Sequence, residues 1–413
     1  MTPNLSDRRS APEADHPVPV GGTPTEVFRA FLKLGLTSFG GPVAHLGYFR
    51  DELVVRRKWI DEAEYADLIS LCQFLPGPAS SQVGYALGLL RGGALGGLAA
   101  WCGFTLPSAL LLLLFALGAS HLEGTVGTAL IHGLKLVAVA VVAQAVWSMA
   151  RALTPDWQRG AIAVGAVITL ALLAGPGGQV AAISIGGLVG LWLCRRTSDT
   201  PPRTLDFPIT RRVGVMALAA FGLLLVGLPL ASTLNDAHGF ALIDVFYRSG
   251  ALVFGGGHVV LPLLEEGVVR PGWIGSNDFL AGYGAAQAVP GPLFTFAAFL
   301  GGAMEPPPNG LAGAVICLAA IFAPGLLLVT GVLPFWSSLR ARPLVQAAMR
   351  GANAAVVGVL ASALYDPLWT TTILSPGDFA VAFVGFVSLV ALNWPPWAVV
   401  LMTATSSVAF ALL

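Results

Sequence analysis

The sequence predicts an all-α polytopic membrane protein made of two inverted-topology repeats, with broken or re-entrant helices, joined by a linker transmembrane helix. Three observations carry that expectation. Of 413 residues, 55% are hydrophobic and 11% charged, with a mean hydropathy of +0.77, whereas soluble domains are about a quarter charged. The apolar runs reach membrane-helix length, as in Val213 to Leu230 and Gly310 to Leu333, and lack the alternating segments of roughly ten residues that build barrels. The third observation is an interruption that occurs twice, as Gln73-Phe74-Leu75-Pro76-Gly77-Pro78 and as Gln287-Ala288-Val289-Pro290-Gly291-Pro292. Proline removes a backbone donor and glycine loosens the chain, so each Pro-Gly-Pro should split its segment into two half-helices. Lipid tolerates the freed backbone groups only against protein or a water-filled cavity.

Taken in order, residues 1 to 25 are rich in proline, serine and charge and lack an apolar core, the pattern of a disordered cytoplasmic tail and not of a signal peptide. Residues 26 to 195 form the first repeat. It opens with a mixed segment, 26 to 58, that holds Lys33, the break Phe39-Gly40-Gly41-Pro42 and the basic run Arg56-Arg57-Lys58. Residues 64 to 91 carry the first Pro-Gly-Pro, and four cleaner apolar segments follow at about 94 to 119, 126 to 150, 158 to 174 and 178 to 194. Residues 196 to 240 supply a polar loop and the linker helix, and residues 241 to 413 form the second repeat.

The restart is visible residue by residue. Phe39-Gly40-Gly41 returns as Phe254-Gly255-Gly256, with a cation six residues before each Phe, Lys33 and Arg248. Trp59-Ile60 returns as Trp273-Ile274, each Trp seventeen residues before its Pro-Gly-Pro, and Gly133 with Lys135 aligns with Gly351 and Asn353. Glu64 and Asp278 stand at equivalent helix starts. So many features in one order imply an internal duplication. The repeats part at Gly257, where Pro42 stood, and at Ala288, where Phe74 stood.

Lys and Arg in short loops mark the cytoplasmic side. Arg91, Arg151, Arg159, Arg195, Arg340 and Arg342 then fall inside, and Glu305 and Asp366 outside. A single linker helix inverts the second repeat. The mixed segments of each repeat either all span, giving thirteen crossings, or all re-enter, giving nine crossings with four re-entrant elements. Both readings place the amino terminus in the cytoplasm and the carboxyl terminus outside.

A charge at bilayer depth costs roughly 2.5 to 3.5 kcal/mol, so each one needs a reason. Those of this chain are mostly cationic: Lys33, Lys135, Arg248 and Arg350, with His45, His132 and His258 beside them and Asp67 as the main carboxylate. A cation pathway or metal site would need Asp or Glu, so the pattern favours an anion. The half-helices that begin at Ala79-Ser80-Ser81 and at Leu293-Phe294-Thr295 add free N–H groups and positive dipole ends, and paired broken helices point to a transport site. Candidate substrate residues are Lys33, Phe39, Gly40, Gly41, Gln73, Pro76, Gly77, Pro78, Ser80 and Ser81 in the first repeat. In the second they are Arg248, Gly255, Gly256, His258, Gln287, Pro290, Gly291, Pro292 and Thr295. His45, Asp67, Lys135 and Asn353 are candidates for gating or coupling.

Structural roles compete with each of these. Lys33, Arg248 and Arg350 are long enough to snorkel, Asp67 could bridge to Lys33, Ser80 and Ser81 suit helix caps, and Gln73 and Gln287 suit freed backbone. Cys72, Cys102, Cys194 and Cys317 stand singly without metal-ligand spacing. There is no His-Glu-x-x-His or Gly-x-Ser-x-Gly, so neither metal, cofactor nor enzyme activity is expected. Zero net charge without a basic arm argues against nucleic acid. The expected partners are an oxyanion and the lipid bilayer, and the assembly is left open between monomer and homodimer.

The set Phe39-Gly40-Gly41-Pro42, Trp59-Ile60 and Gln73 to Pro78, with Phe254 to His258, Trp273 and Gln287 to Pro292, resembles the chromate ion transporter family in its long two-domain form, across residues 26 to 413. The resemblance implies an inner-membrane protein that exports chromate, a sulfate-like oxyanion, and so confers chromate resistance; a carrier or channel for sulfate or another oxyanion is the alternative.

Overall fold

The computed structural model describes residues 21–119, 124–173, 176–195, 207–234, 237–253, 257–305, 307–340 and 342–412. The expected tail lies largely outside them, as do Gly255, Gly256 and most of the polar loop. The described residues are helical, without strands.

Each repeat opens with two helical hairpins. In the first repeat, α1 (Pro24–Thr37) and α2 (Pro42–Phe49), the latter prolonged by a π-helical stretch over Arg50–Arg56, form hairpin 1. Thr23 caps α1 by accepting a bond from the Glu26 N–H, with Pro24 at the first helical position. Next come α3 (Glu62–Phe74), opened by an Asp61/Glu64 capping box, and α4 (Ala79–Ala119). Gly92 and Gly93 leave helical geometry, with Gly93 at φ +62°, and fold α4 into two arms. Hairpin 2 is α3 with the first arm; the second arm is a crossing helix. The repeat ends with α5 (Gly124–Leu153), α6 (Trp157–Leu172) and α7 (Pro176–Leu193), and α8 (Arg211–Leu234) is the linker.

The second repeat follows the same order. Hairpin 3 is α9 (His238–Ala251) with α10 (Val260–Leu264), prolonged by a π-helical stretch over Glu265–Val269, and hairpin 4 is α11 (Ser276–Ala288) with α12 (Phe296–Ala303). Then come α13 (Gly310–Val332), α14 (Trp336–Arg340), α15 (Pro343–Ala363), the short α16 (Thr370–Thr372), α17 (Pro376–Val390) and α18 (Pro396–Leu412).

Each hairpin returns to the end of the bundle from which it starts. At one end of the bundle the Gly22 N–H donates to the Arg91 carbonyl at 2.9 Å, and the Arg57 and Arg91 guanidiniums lie 5.8 and 5.5 Å from the Trp59 ring centre. The start of hairpin 1, its end and the end of hairpin 2 are therefore neighbours. The second repeat repeats the arrangement around Trp273, which His238 meets edge-on at 4.4 Å and whose carbonyl accepts the Glu305 N–H at 3.2 Å. Five helical runs are long and apolar enough to cross a membrane, among them α4, and of the five shorter apolar helices α6, α7, α17 and α18 lie outside the hairpins while Leu293–Ala303 belongs to hairpin 4, which is compatible with the nine-crossing alternative.

α13 shows that the two sets of hairpins enter from opposite ends. Along it, Gly313 lies against Gly301 of hairpin 4, Gly325 against Gly77 at the tip of hairpin 2, Thr330 bonds the Tyr85 hydroxyl at 3.1 Å, and Trp336 beyond it donates to Asp67 at 3.2 Å. The repeats also exchange their outer helices. α6 and α7 of the first cover α15 of the second, where Gly351 packs on Gly186 and Gly190; α17 and α18 of the second cover α5 of the first, where Gly133 packs on Thr403 and Ala404. Small residues permit these close approaches.

Candidate functional site

The four hairpin tips meet mid-bundle through one contact made twice. The Gly77 N–H donates to the Val253 carbonyl at 2.7 Å, and the Gly291 N–H donates to the Ser38 carbonyl at 2.9 Å. Ser38 and Val253 directly precede Phe39 and Phe254, so equivalent Pro-Gly-Pro glycines bond equivalent break residues of the opposite repeat. Gly77 (φ +123°) and Gly291 (φ +102°) are held in the left-handed region that glycine alone enters freely. Each also lies against a crossing helix: a Cβ on Gly77 would meet Gln82 Nε2 at 2.7 Å and the Gly325 backbone at 3.1 Å, and one on Gly291 would meet Ser108 Oγ at 2.7 Å. Pro107-Ser108 in α4 and Pro324-Gly325 in α13 are themselves equivalent positions.

The tips enclose a small cavity. Hairpin 1 contributes Gly40, Gly41, Pro42 and His45, hairpin 2 Pro78 and Ser80, hairpin 3 His258, and hairpin 4 Gln287, Gly291, Pro292 and their apolar neighbours Ala286, Val289, Leu293 and Phe294. Its volume of about 20 Å³ has room for about one water. The polar side chains on its wall are those of His45, Ser80, His258 and Gln287. His45 is 2% exposed, with Nδ1 3.3 Å from Ser80 Oγ. His258 Nδ1 lies 2.7 Å from the Tyr283 hydroxyl. Among the described residues His45 Nε2 and Gln287 Nε2 are buried without a hydrogen-bond partner, and buried polar atoms normally have one. The α2 and α4 N-termini, with their intrahelically unbonded first-turn N–H groups, begin at Pro42 and Ala79 beside these side chains. Polar side chains, two helix ends and orphaned polar atoms on one cavity suit an anion that brings its own acceptors.

Other candidates are placed away from this wall. Lys33 pairs with Glu52 at 2.6 Å, where Arg56 and Arg57 also bind, at 3.0 and 2.8 Å. Arg248 pairs with Asp244 at 2.5 Å. The bridge expected from Lys33 to Asp67 is therefore replaced by Lys33 to Glu52, because the return arm of hairpin 1 carries Glu52 to α1, while Asp67 accepts a bond from Trp336 Nε1. Buried acid is also less scarce than expected, since Glu52 and Asp244 are 6% and 4% exposed. Gln73 is exposed, unlike its counterpart Gln287. Thr295 Oγ donates to the Pro292 carbonyl at 2.7 Å as a local cap, Ser81 is buried without lining the cavity, and Phe39 meets Trp397. Pro76 and Pro290 shape the tips behind the wall. Lys135 donates to Asn277 Oδ1 at 3.0 Å, Asn353 is held within α15 with Oδ1 unbonded among the described residues, His132 bonds Asp378 at 2.6 Å, and Arg350 donates to the Cys194 carbonyl at 3.1 Å.

Sequence reasoning missed Gln82, whose Nε2 donates to the Pro76 carbonyl at 2.8 Å and the Gly325 carbonyl at 3.2 Å and so clamps tip 2 to α13. It also missed Tyr283 and Ser108. Asp244 was within reach, since it stands one helical turn before Arg248.

A family model described as chromate transporter matches residues 25–191 and again residues 240–408, one match to each repeat. The chain is similar to the chromate transport protein of Pseudomonas aeruginosa, 30% identical over 357 residues that cover 83% of this chain and 80% of that protein. It is also similar to the probable chromate transport protein of Synechococcus elongatus, 29% identical over 341 residues (81% and 82%), and to the chromate transport protein of Cupriavidus metallidurans, 28% identical over 346 residues (81% and 80%). No solved structure matches the chain significantly.

Proposed function

The chain belongs to the chromate transporter family, and on that premise we propose that it exports chromate across the bacterial inner membrane by alternating access around the hairpin-tip cavity, conferring chromate resistance. The observation that carries this reading is the convergence of equivalent tips from two inverted repeats on one donor-lined cavity. In its roles, Ser80, His45 and Gln287 grip the oxyanion together with the first-turn N–H groups of α2 and α4. A cavity sized for about one water cannot hold a five-atom oxyanion, so the arrangement corresponds to a closed state, and hairpins must part toward one face and then the other. Hairpins 1 and 2 gate the face that carries Arg50, Arg56, Arg57, Lys58 and Arg91, which the positive-inside rule makes cytoplasmic, with the amino terminus inside and the carboxyl terminus outside.

The direction has a driving force. A dianion leaving an interior at about −100 mV gains roughly 4 to 5 kcal/mol, at about 2.3 per charge. Everted vesicles containing the protein are therefore expected to accumulate chromate, with sulfate competing; uptake no greater than in empty vesicles refutes the reading.

A further inference from the structure

We propose that this cavity selects tetrahedral dianions that carry no proton and rejects tetrahedral oxyanions that keep one, such as phosphate and arsenate at neutral pH. The inference rests on the oxyanion-transport reading and concerns what else the same site admits.

In this closed arrangement five of the tip carbonyls are already occupied. The Ser38 and Val253 carbonyls accept the Gly291 and Gly77 N–H groups across the repeat interface. The Pro76 carbonyl accepts Gln82 Nε2 at 2.8 Å, the Pro78 carbonyl the Gln82 N–H at 2.9 Å, and the Pro292 carbonyl both the Thr295 N–H and its hydroxyl. Among the described residues no Asp or Glu lines the cavity. The nearest buried carboxylates along the hairpins are engaged elsewhere: Glu52 with three cations, Asp244 with Arg248, Asp67 with Trp336.

Donors, in contrast, face inward. In the tautomer in which the Ser80 hydroxyl donates to His45 Nδ1, the ring proton lies on Nε2, which is buried and, among the described residues, has no hydrogen-bond partner, as is the case for the Gln287 amide nitrogen. The same assignment at His258, with the Tyr283 hydroxyl donating to Nδ1, makes its Nε2 a donor too. A dianion whose four oxygens only accept satisfies such a wall. An anion with an O–H brings a donor that meets donors, and a buried unpaired donor weakens binding about tenfold or more.

The test is a competition series on chromate uptake by everted vesicles at pH 7.5 and constant ionic strength, with sulfate, molybdate, phosphate, arsenate and monofluorophosphate as competitors. Monofluorophosphate is decisive, because it is a tetrahedral phosphorus dianion without a proton. Sulfate, molybdate and monofluorophosphate are expected to inhibit at similar concentrations, and phosphate and arsenate only at concentrations about tenfold higher or more. Phosphate inhibition equal to that of sulfate overturns the proposal, and so does monofluorophosphate grouped with phosphate. The same anions are ranked on the purified wild-type protein by the rise they cause in its unfolding temperature. If chromate is not taken up at all, the transport reading falls while this ranking still decides the selectivity. In Gln287→Glu, which adds an acceptor to the wall, the gap between sulfate and phosphate is expected to narrow; a variant absent from the membrane leaves the wild-type ranking as the deciding result.

Discussion

Hairpins 1 and 3 are the same element read in opposite directions, yet their equivalent cations are anchored differently. Lys33 of hairpin 1 reaches across to Glu52 on the return arm, nineteen residues on, and so staples the two arms together. Arg248 of hairpin 3 turns back to Asp244 on its own helix, four residues before it, and among the described residues ties down no other element. At the tips the repeats agree: both Pro-Gly-Pro glycines make the same bond to the opposite break, at 2.7 and 2.9 Å. The symmetry is therefore strict where the halves meet and relaxed toward the mouths. Geometry at the tips has to satisfy both repeats at once, whereas each mouth answers only to its own face of the membrane.

The largest effects are expected where the symmetry is strict. Gly77→Ala and Gly291→Ala should each cut chromate uptake by about tenfold or more. Left-handed backbone costs a residue with a Cβ about 1–2 kcal/mol, and the new methyl meets Gln82 or Ser108. Vesicle uptake normalised to protein in the membrane measures this, and a loss at only one of the two glycines would break the equivalence.

A smaller effect is expected at the mouths, and an unequal one. Glu52→Gln strips the buried partner from three cations and should lower the unfolding temperature in detergent more than Asp244→Asn, which strips one. Lys33 and Arg56 are about half exposed or more, so solvent screening holds the cost of Glu52→Gln to about 1–2 kcal/mol. Equal shifts would mean that the staple does nothing. The smallest effect is expected at Lys33→Gln, which keeps the arm length and removes the charge; uptake should stay within about fivefold of wild type, since Lys33 does not line the cavity. A larger loss would return Lys33 to the substrate path.

Much of this architecture was legible in the sequence, because the duplicated Phe-Gly-Gly and Pro-Gly-Pro punctuation marks the chain directly. Gly40, Gly41, Pro78, Ser80, His258, Gln287, Gly291 and Pro292 were singled out as substrate residues and His45 as a gating residue, and the structure brings them to one wall. The charges were harder to read. A cation near bilayer depth suggests an anion, but its partner depends on which arm folds back on it; Glu52 becomes a neighbour of Lys33 only after hairpin 1 closes. Gln82 was hidden for a similar reason, since its role lies toward Gly325, more than two hundred residues away in sequence. The exchange of outer helices was not legible at all, since glycine- and alanine-rich faces do not name the helix they will receive.

That exchange sets a timetable for biosynthesis. α5 is made early, yet the helices that cover it, α17 and α18, come more than two hundred residues later in the chain. At about 5–20 residues per second, roughly 10 to 50 seconds separate the emergence of α5 from that of α18. Throughout that interval the face of α5 around Gly133 must be sheltered by lipid or by a helper of the insertion machinery. Damage at the far end of the chain would accordingly register as instability in the repeat that was synthesised first.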